Sequence, residues 1–157
     1  MDLRRAGGPG ILSADIELGP LADLVTVTDC FQLEDARGRL VEPVDDAEIR
    51  AGRVLHVHVV ECVPGAVRAN HVHRRHREAF CLVAGDFQVK LRDTASGSEV
   101  EFTVDDGSSI RIEVAAGVAH AFKNVGSRPG FILAYGDQPF DDGDFERCEL
   151  LEPDPGA

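Results

Sequence analysis

Apolar and polar residues alternate with a period of two along most of the chain, in short runs that glycines and polar clusters interrupt. "RVLHVHVVECV", "EAFCLVAGDFQVKLRD", "SEVEFTVDD", "SSIRIEV" and "GFILAYGD" are the clearest of these runs. Such alternation puts one face of a strand in a core and the other in solvent, so each run predicts a strand. "DARGRLVE", with Gly38, predicts a tight turn into a further strand, and "RDTASGSEV" predicts a hairpin tip built from Thr94, Ser96 and Gly97. No stretch keeps a 3.6-residue period, although "VDDAEIRAG" has room for one helical turn. About eight to ten short strands at this spacing predict an all-β sandwich or barrel. Apolar content falls at both ends. Residues 1–22 are expected to form an N-terminal arm, 23–150 the barrel and 151–157 a loose tail.

Composition narrows the picture. A chain of 157 residues is long enough for one domain with a proper core. A formal net charge of −12 argues against nucleic acid and acidic membranes as partners. No apolar run approaches the roughly 20 residues that span a bilayer, and Met1–Ala6 lacks the apolar stretch of a signal peptide, so the expected compartment is the cytoplasm. Cys30, Cys62, Cys81 and Cys148 form no CxxC pair and read as reduced thiols used in packing. Phe80, Phe87, Phe102 and Phe122 read as core.

The chemistry concentrates in "GAVRANHVHRRHREAFCLVAG", residues 65–85. In a strand, residues two apart share a face, so His71 and His73 project together while Val72 points away. "RRHR" then makes a turn, and Glu78 opens the next strand in phase with Phe80 and Leu82, toward the same interior. A fourth ligand comes from "VAAGVAHAFKN", where His120 follows a glycine turn. Three imidazoles and one carboxylate, without sulfur, suit a divalent ion such as zinc, iron, manganese, nickel or copper. The alternative is a metal-free barrel with a polar interior. His56 and His58 read as one solvated face of "VLHVHVV", Arg74, Arg75 and Arg77 as a solvated turn, and "DDGDFE" as a solvated acidic turn without calcium-loop spacing.

At these residues the chain resembles the cupins, whose first motif is G(X)5HXH(X)3–4E(X)6G: Gly65, His71, His73, Glu78 and Gly85 meet every interval. The second cupin motif is matched by Gly117, His120 and Asn124, with Ala115 where proline is usual. The resemblance implies a jelly-roll barrel over roughly residues 50–136, with one divalent metal ion held by His71, His73, Glu78 and His120. "DARGRLVE", "VPGAVRANHVHRRHREAFCLVAG" and "GVAHAFKNVGSRPGFILAYGDQPFDDGDFE" are further similar to the cupin domain that closes capsular polysaccharide assembling proteins, over about residues 27–147. In this element Ala69 stands where glycine usually follows the arginine. More distantly, Arg68 and His71 resemble an Arg-x-x-His element of the dTDP-4-dehydrorhamnose 3,5-epimerases and dTDP-sugar ketoisomerases.

These resemblances imply an epimerase or isomerase of a keto-sugar nucleotide or a similar carbonyl metabolite. Such chemistry needs a base, an acid and something to stabilise an enolate. A histidine that ligates metal cannot also take a proton, so the base must come from His76, Tyr135, Lys90 or the His56/His58 pair, with Tyr135 favoured by its place in a late strand. Tyr135 otherwise reads as a packing aromatic. Arg68 suits a diphosphate, and Lys90 is a second cation for the substrate. The rival readings are an iron- or manganese-dependent oxygenase, which the same ligands support, and a small-molecule-binding cupin without turnover. The expected partners are a homodimer mate, through the alternating "SADIELGPLADLVTVTD" segment, and a separate reductase.

Overall fold

A computed structural model describes residues 4–5 and 13–157. In chain order the strands are β1 (Arg4–Arg5), β2 (Val25–Asp29), β3 (Phe31–Asp35), β4 (Gly38–Glu42), β5 (His56–Cys62), β6 (Val67–Val72), β7 (Glu78–Ala84), β8 (Phe87–Asp93), β9 (Glu99–Val104), β10 (Ile110–Val114), β11 (Val118–Asn124), β12 (Gly130–Gly136) and β13 (Glu146–Arg147). One short helix, α1 (Asp46–Arg50), lies between β4 and β5. It is the single turn anticipated in "VDDAEIRAG", and the Asp45 side chain caps it by accepting the Glu48 N–H at 2.9 Å. Both predicted hairpins form, β3 with β4 and β8 with β9.

Two five-stranded antiparallel sheets make the barrel, in the orders β2-β10-β7-β12-β5 and β13-β6-β11-β8-β9. A three-stranded sheet, β1-β3-β4, is attached beside them. Alternation decides what lies between the sheets. Phe80, Leu82, Ile110, Ile112 and Ile132 from one sheet meet Phe87, Val89, Leu91 and Phe122 from the other in a single core. This is the all-β jelly roll of a cupin. Among the described residues no helix is long and apolar enough to cross a membrane.

Two local features position the functional residues. Ala69 and Asn70 in β6 have left-handed backbones, with φ of 64° and 56°. They produce a register shift against β11, beyond which His71 lies opposite His120. Asn70 secures this bulge: its side chain accepts the N–H groups of Leu150 and Leu151 and donates to the Leu151 carbonyl. The second feature is Gly136, which sits between His56 on β5 and Glu78 on β7 in one row across the sheet. Without a side chain there, the space between that imidazole and that carboxylate stays open.

Both ends differ from expectation. Much of the 1–22 arm lies outside the described residues, but Leu21 is fully buried in the core with Ile16 and Leu18 packed beside it. β2 pairs with β10 of its own chain, so it does not need a second copy to satisfy its backbone. The C-terminal tail is tied down: the Asp154 N–H donates to the Gly65 carbonyl at 2.9 Å, and Lys123 donates to the Asp154 carboxylate at 2.7 Å.

Candidate functional site

A cavity of about 670 Å³ opens inside the barrel, within the size range of small-molecule sites. His56, His58, His71, His73 and His76 all line it, and the sixth histidine, His120, is buried behind the lining with its ring 4.7 Å from those of His71 and Phe80. Phe80, Phe122, Phe140 and Phe145 supply apolar wall, and Arg68 stands among the lining residues while exposed to solvent.

The four residues expected to hold a metal come together, each offering an atom within 4.8 Å of the others'. Their hydrogen bonds show what the group lacks. His73 Nδ1–H donates to the Asp144 main-chain carbonyl at 2.7 Å, and His120 Nδ1–H donates to the Val118 carbonyl at 3.1 Å. A carbonyl only accepts, so in each neutral ring the proton sits on Nδ1 and the lone pair on Nε2. Both Nε2 atoms face Glu78 Oε2, at 3.3 Å from His73 and 3.4 Å from His120. Three acceptors thus converge with no donor among them, and Glu78 Oε2 and His120 Nε2 are buried without a hydrogen-bond partner.

A proton is a poor answer to that deficit. Burial pushes His71 down to about 3, and the neighbouring His120 and His73 add to the effect. Burial also lowers His73, against the pull of Glu78. For Glu78 burial alone would raise the carboxyl, and only an N–H or positive charge on the imidazoles, His120 first, brings it down to about 2. An ionised carboxylate among imidazoles that resist protonation is the state in which such groups ligate a divalent cation, and the residues fit one.

His76 stands at the rim of this group. Its Nδ1 is 2.6 Å from Asp144 Oδ2. Asp144 is 4% exposed and also accepts the backbone N–H groups of Arg74 at 2.9 Å and Arg75 at 3.2 Å. Burial would raise this carboxyl, but those two N–H groups and His76 hold it below the usual range. Asp144 therefore stays an acceptor, His76 carries its proton on Nδ1, and Nε2 is left free as a base. "DDGDFE" is accordingly no mere solvated turn. Its last aspartate anchors the "RRHR" loop and orients two histidines, a role hidden in the sequence because all the carboxylates of that segment look alike.

The structure corrects three further expectations. His56 and His58 face the cavity, while Val57 and Val59 of the same strand are exposed. The histidine face of β5 is the inner one, because the interior here is an open cavity instead of packed core. His58 Nδ1 is buried without a partner, and burial lowers the pKa of this ring. Tyr135 points the other way: it lies between Ala134 and Gly136 on the outer face of β12, 2% exposed, beside Glu48, Arg53, Arg77 and Asp137. Burial pushes its hydroxyl up to about 12, although Arg111 pulls it down. Tyr135 is therefore a packing residue and not the base facing the cavity. Lys90 also points outward, pairing with Glu99 at 3.2 Å and Glu101 at 3.7 Å on β9, which removes it as a substrate cation. Arg68 keeps its place at the cavity, with its Nε donating to the Glu61 carbonyl at 2.8 Å.

Comparison with known proteins follows the same lines. A 4-keto-6-deoxy sugar epimerase, NovW of Streptomyces spheroides, superposes with a TM-score of 0.71 at 18% identity, covering 96% of this chain and 85% of that one. The sugar 3,4-ketoisomerase QdtA of Thermoanaerobacterium thermosaccharolyticum, in complex with TDP, superposes with a TM-score of 0.65 at 16% identity, covering 80% and 89%. At these identities the likeness establishes a common fold. In sequence, the chain is 25% identical over 107 residues to the UDP-2-acetamido-2,6-beta-L-arabino-hexul-4-ose reductase of Pseudomonas aeruginosa. That match covers 68% of this chain but spans only 27% of the reductase. Residues 33–146, well over half of the chain, match the polysaccharide biosynthesis C-terminal domain, and the chain belongs to that family.

Proposed function

We propose that the chain is a metal-dependent epimerase or isomerase acting on a keto-sugar nucleotide. The observation that carries this reading is the juxtaposition of the proton-free group around Glu78 Oε2 with an oriented His76–Asp144 pair in one cavity. Solved relatives of the same fold are epimerases and ketoisomerases of nucleotide-linked sugars by their descriptions, which supports the substrate class. A divalent cation held by His71, His73, Glu78 and His120 supplies Lewis acidity toward a ligand oxygen. The other steps fall to the chain's own side chains. His76 Nε2 takes the proton from the carbon beside the ketone, while Asp144 holds the ring in its tautomer and stabilises the imidazolium that forms. His56 and His58, across the gap at Gly136, place proton carriers at a second point on the cavity wall. Arg68 binds the diphosphate, and the phenylalanines of the wall limit water around the sugar.

The product is a substrate for a reductase, in keeping with the reductase that the chain resembles over part of its length. We also expect a homodimer. With β2 satisfied within its own chain, the contact falls on the sheet edge at β5, where Leu55, Val57 and Val59 are exposed. Light scattering tests this by returning about twice the 16.9 kDa chain mass.

The decisive experiment is anaerobic incubation with dTDP- or UDP-linked 4-keto-6-deoxy sugars in deuterium oxide. Deuterium entering the carbon beside the ketone is the expected result. No exchange with any of these sugars, or turnover that stops when oxygen is removed, overturns the reading, and the second outcome makes an oxygenase the better account.

A further inference from the structure

We propose that Cys30 and Cys81 are a modification site that closes into a reversible disulfide when a small disulfide oxidant, such as oxidised glutathione, reaches Cys30. The two residues lie 51 positions apart in sequence, yet their sulfurs are 3.1 Å apart. A disulfide requires about 2.05 Å, so the sulfurs need to approach by about 1 Å more.

The surroundings hold the pair in place. Cys30 is the single residue between β2 and β3, where the chain leaves the barrel sheet for the three-stranded one, and its N–H donates to the Ser109 carbonyl at 2.8 Å. Cys81 is fully buried in the middle of β7, between Phe80 and Leu82, which face the core, so its thiol points out of the opposite face of the sheet. Strand β10 runs between β2 and β7, and Arg111 on it is paired with both Thr28 and Cys81. The Cys30 side chain thus meets Cys81 beside a guanidinium.

The two thiols are unequal in a useful way. Cys30 is partly exposed, and its pKa is lowered first by the hydrogen bond from Cys81 and then by Arg111, against burial. Cys81 is raised, by that same hydrogen bond and by burial. Cys30 is therefore the attacking thiolate and Cys81 the resolving thiol. In the first step the Cys30 thiolate attacks oxidised glutathione, forming a mixed disulfide and releasing one glutathione thiolate. In the second, Cys81 gives up its proton to solvent and attacks the Cys30 sulfur, breaking the mixed disulfide and releasing a second glutathione. Two protein thiols are oxidised and one glutathione disulfide is reduced to two thiols. Cys62, whose thiol donates to the Ala66 carbonyl at 3.3 Å, and Cys148 serve as internal controls.

The test uses the whole chain, incubated with oxidised glutathione at pH 8 or with dithiothreitol, then denatured. Intact mass should fall by about 2 Da, the two hydrogens lost, and thiol titration should drop from four to two. Peptide mapping should recover Cys30 linked to Cys81, and the thermal midpoint should rise by several degrees, as expected for a cross-link closing a long loop. Dithiothreitol should reverse all of these. Cys30→Ser should abolish the change while Cys62→Ala keeps it, so the proposal remains testable even if Cys81→Ser fails to fold. Four thiols persisting after oxidation, a mixed disulfide at Cys30 that never resolves, or a cross-link to Cys62 or Cys148 would each overturn it.

Discussion

The sheet that carries β7 and β12 has a charged cluster on each face, and the two are built on opposite logic. On the outer face Arg77 pairs with Glu113, Arg53 with Glu48 at 2.5 Å, and Arg111 with Asp45 and Glu113 at 3.0 Å each. There each guanidinium meets a carboxylate. On the inner face Glu78 Oε2 meets the lone pairs of two imidazoles, and no group among the described residues answers it. Charge is common to both clusters, so charge alone does not mark function. What separates them is charge pairing: every guanidinium of the outer cluster has a carboxylate, and these pairs hold α1 to the barrel, whereas the inner carboxylate faces only acceptors.

The largest effect expected from breaking this contrast is on the inner face. Purified protein should carry close to one divalent ion per chain, and His120→Ala, His73→Ala or Glu78→Gln should cut occupancy at least tenfold by metal analysis while the fold persists. Full occupancy after the double substitution of His71 and His73 would remove the site. Next come His76→Asn and Asp144→Asn, which should slow solvent exchange about a hundred- to ten-thousandfold with the metal retained, because an oriented base adds that much to rate. Loss of metal in His76→Asn would instead make His76 a ligand.

On the outer face Arg111→Met should lower the unfolding free energy by only about 1 kcal/mol in denaturant melts, since Glu113 keeps Arg77 and Asp45 is half exposed, and should leave metal content unchanged. Acid should then act mainly on the inner cluster. Unfolded histidine takes a proton near its ordinary 6.5, whereas folded His71 resists until about 3, so the unfolded state binds more protons across that window and stability falls as the pH is lowered through it. Glu78 adds the same sign: its share is present above the ordinary 4.5 and lost as the pH falls toward about 2. Metal should accordingly be retained below pH 6, where free imidazoles would already be largely protonated, and dialysis at stepped pH checks this. The smallest effect is expected at Tyr135→Phe. Its hydroxyl is buried without a partner, so removing it should shift stability by no more than about 1 kcal/mol and leave exchange intact.

The sequence by itself determined most of the strands, both hairpins, the turn of α1 and the gathering of His71, His73, Glu78 and His120. The reason is local: a period of two puts His71 and His73 on one side, and a tight turn brings Glu78 back in phase. The left-handed bulge at Ala69 and Asn70, which sets His71 opposite His120, was not legible, because alanine ordinarily avoids that backbone region. Other decisions were tertiary. Alternation in β5 separates histidines from valines but does not say which set faces inward, and the open cavity reverses the usual answer. Tyr135 and Gly136 are neighbours in sequence on opposite faces of one strand, so the sheet that covers each face decided that the tyrosine packs beneath α1. Asp144 reaches His76 across 68 residues, and Cys30 reaches Cys81 across 51. Contacts at such separations depend on the order in which strands pair, a property of the whole sheet that no local pattern encodes.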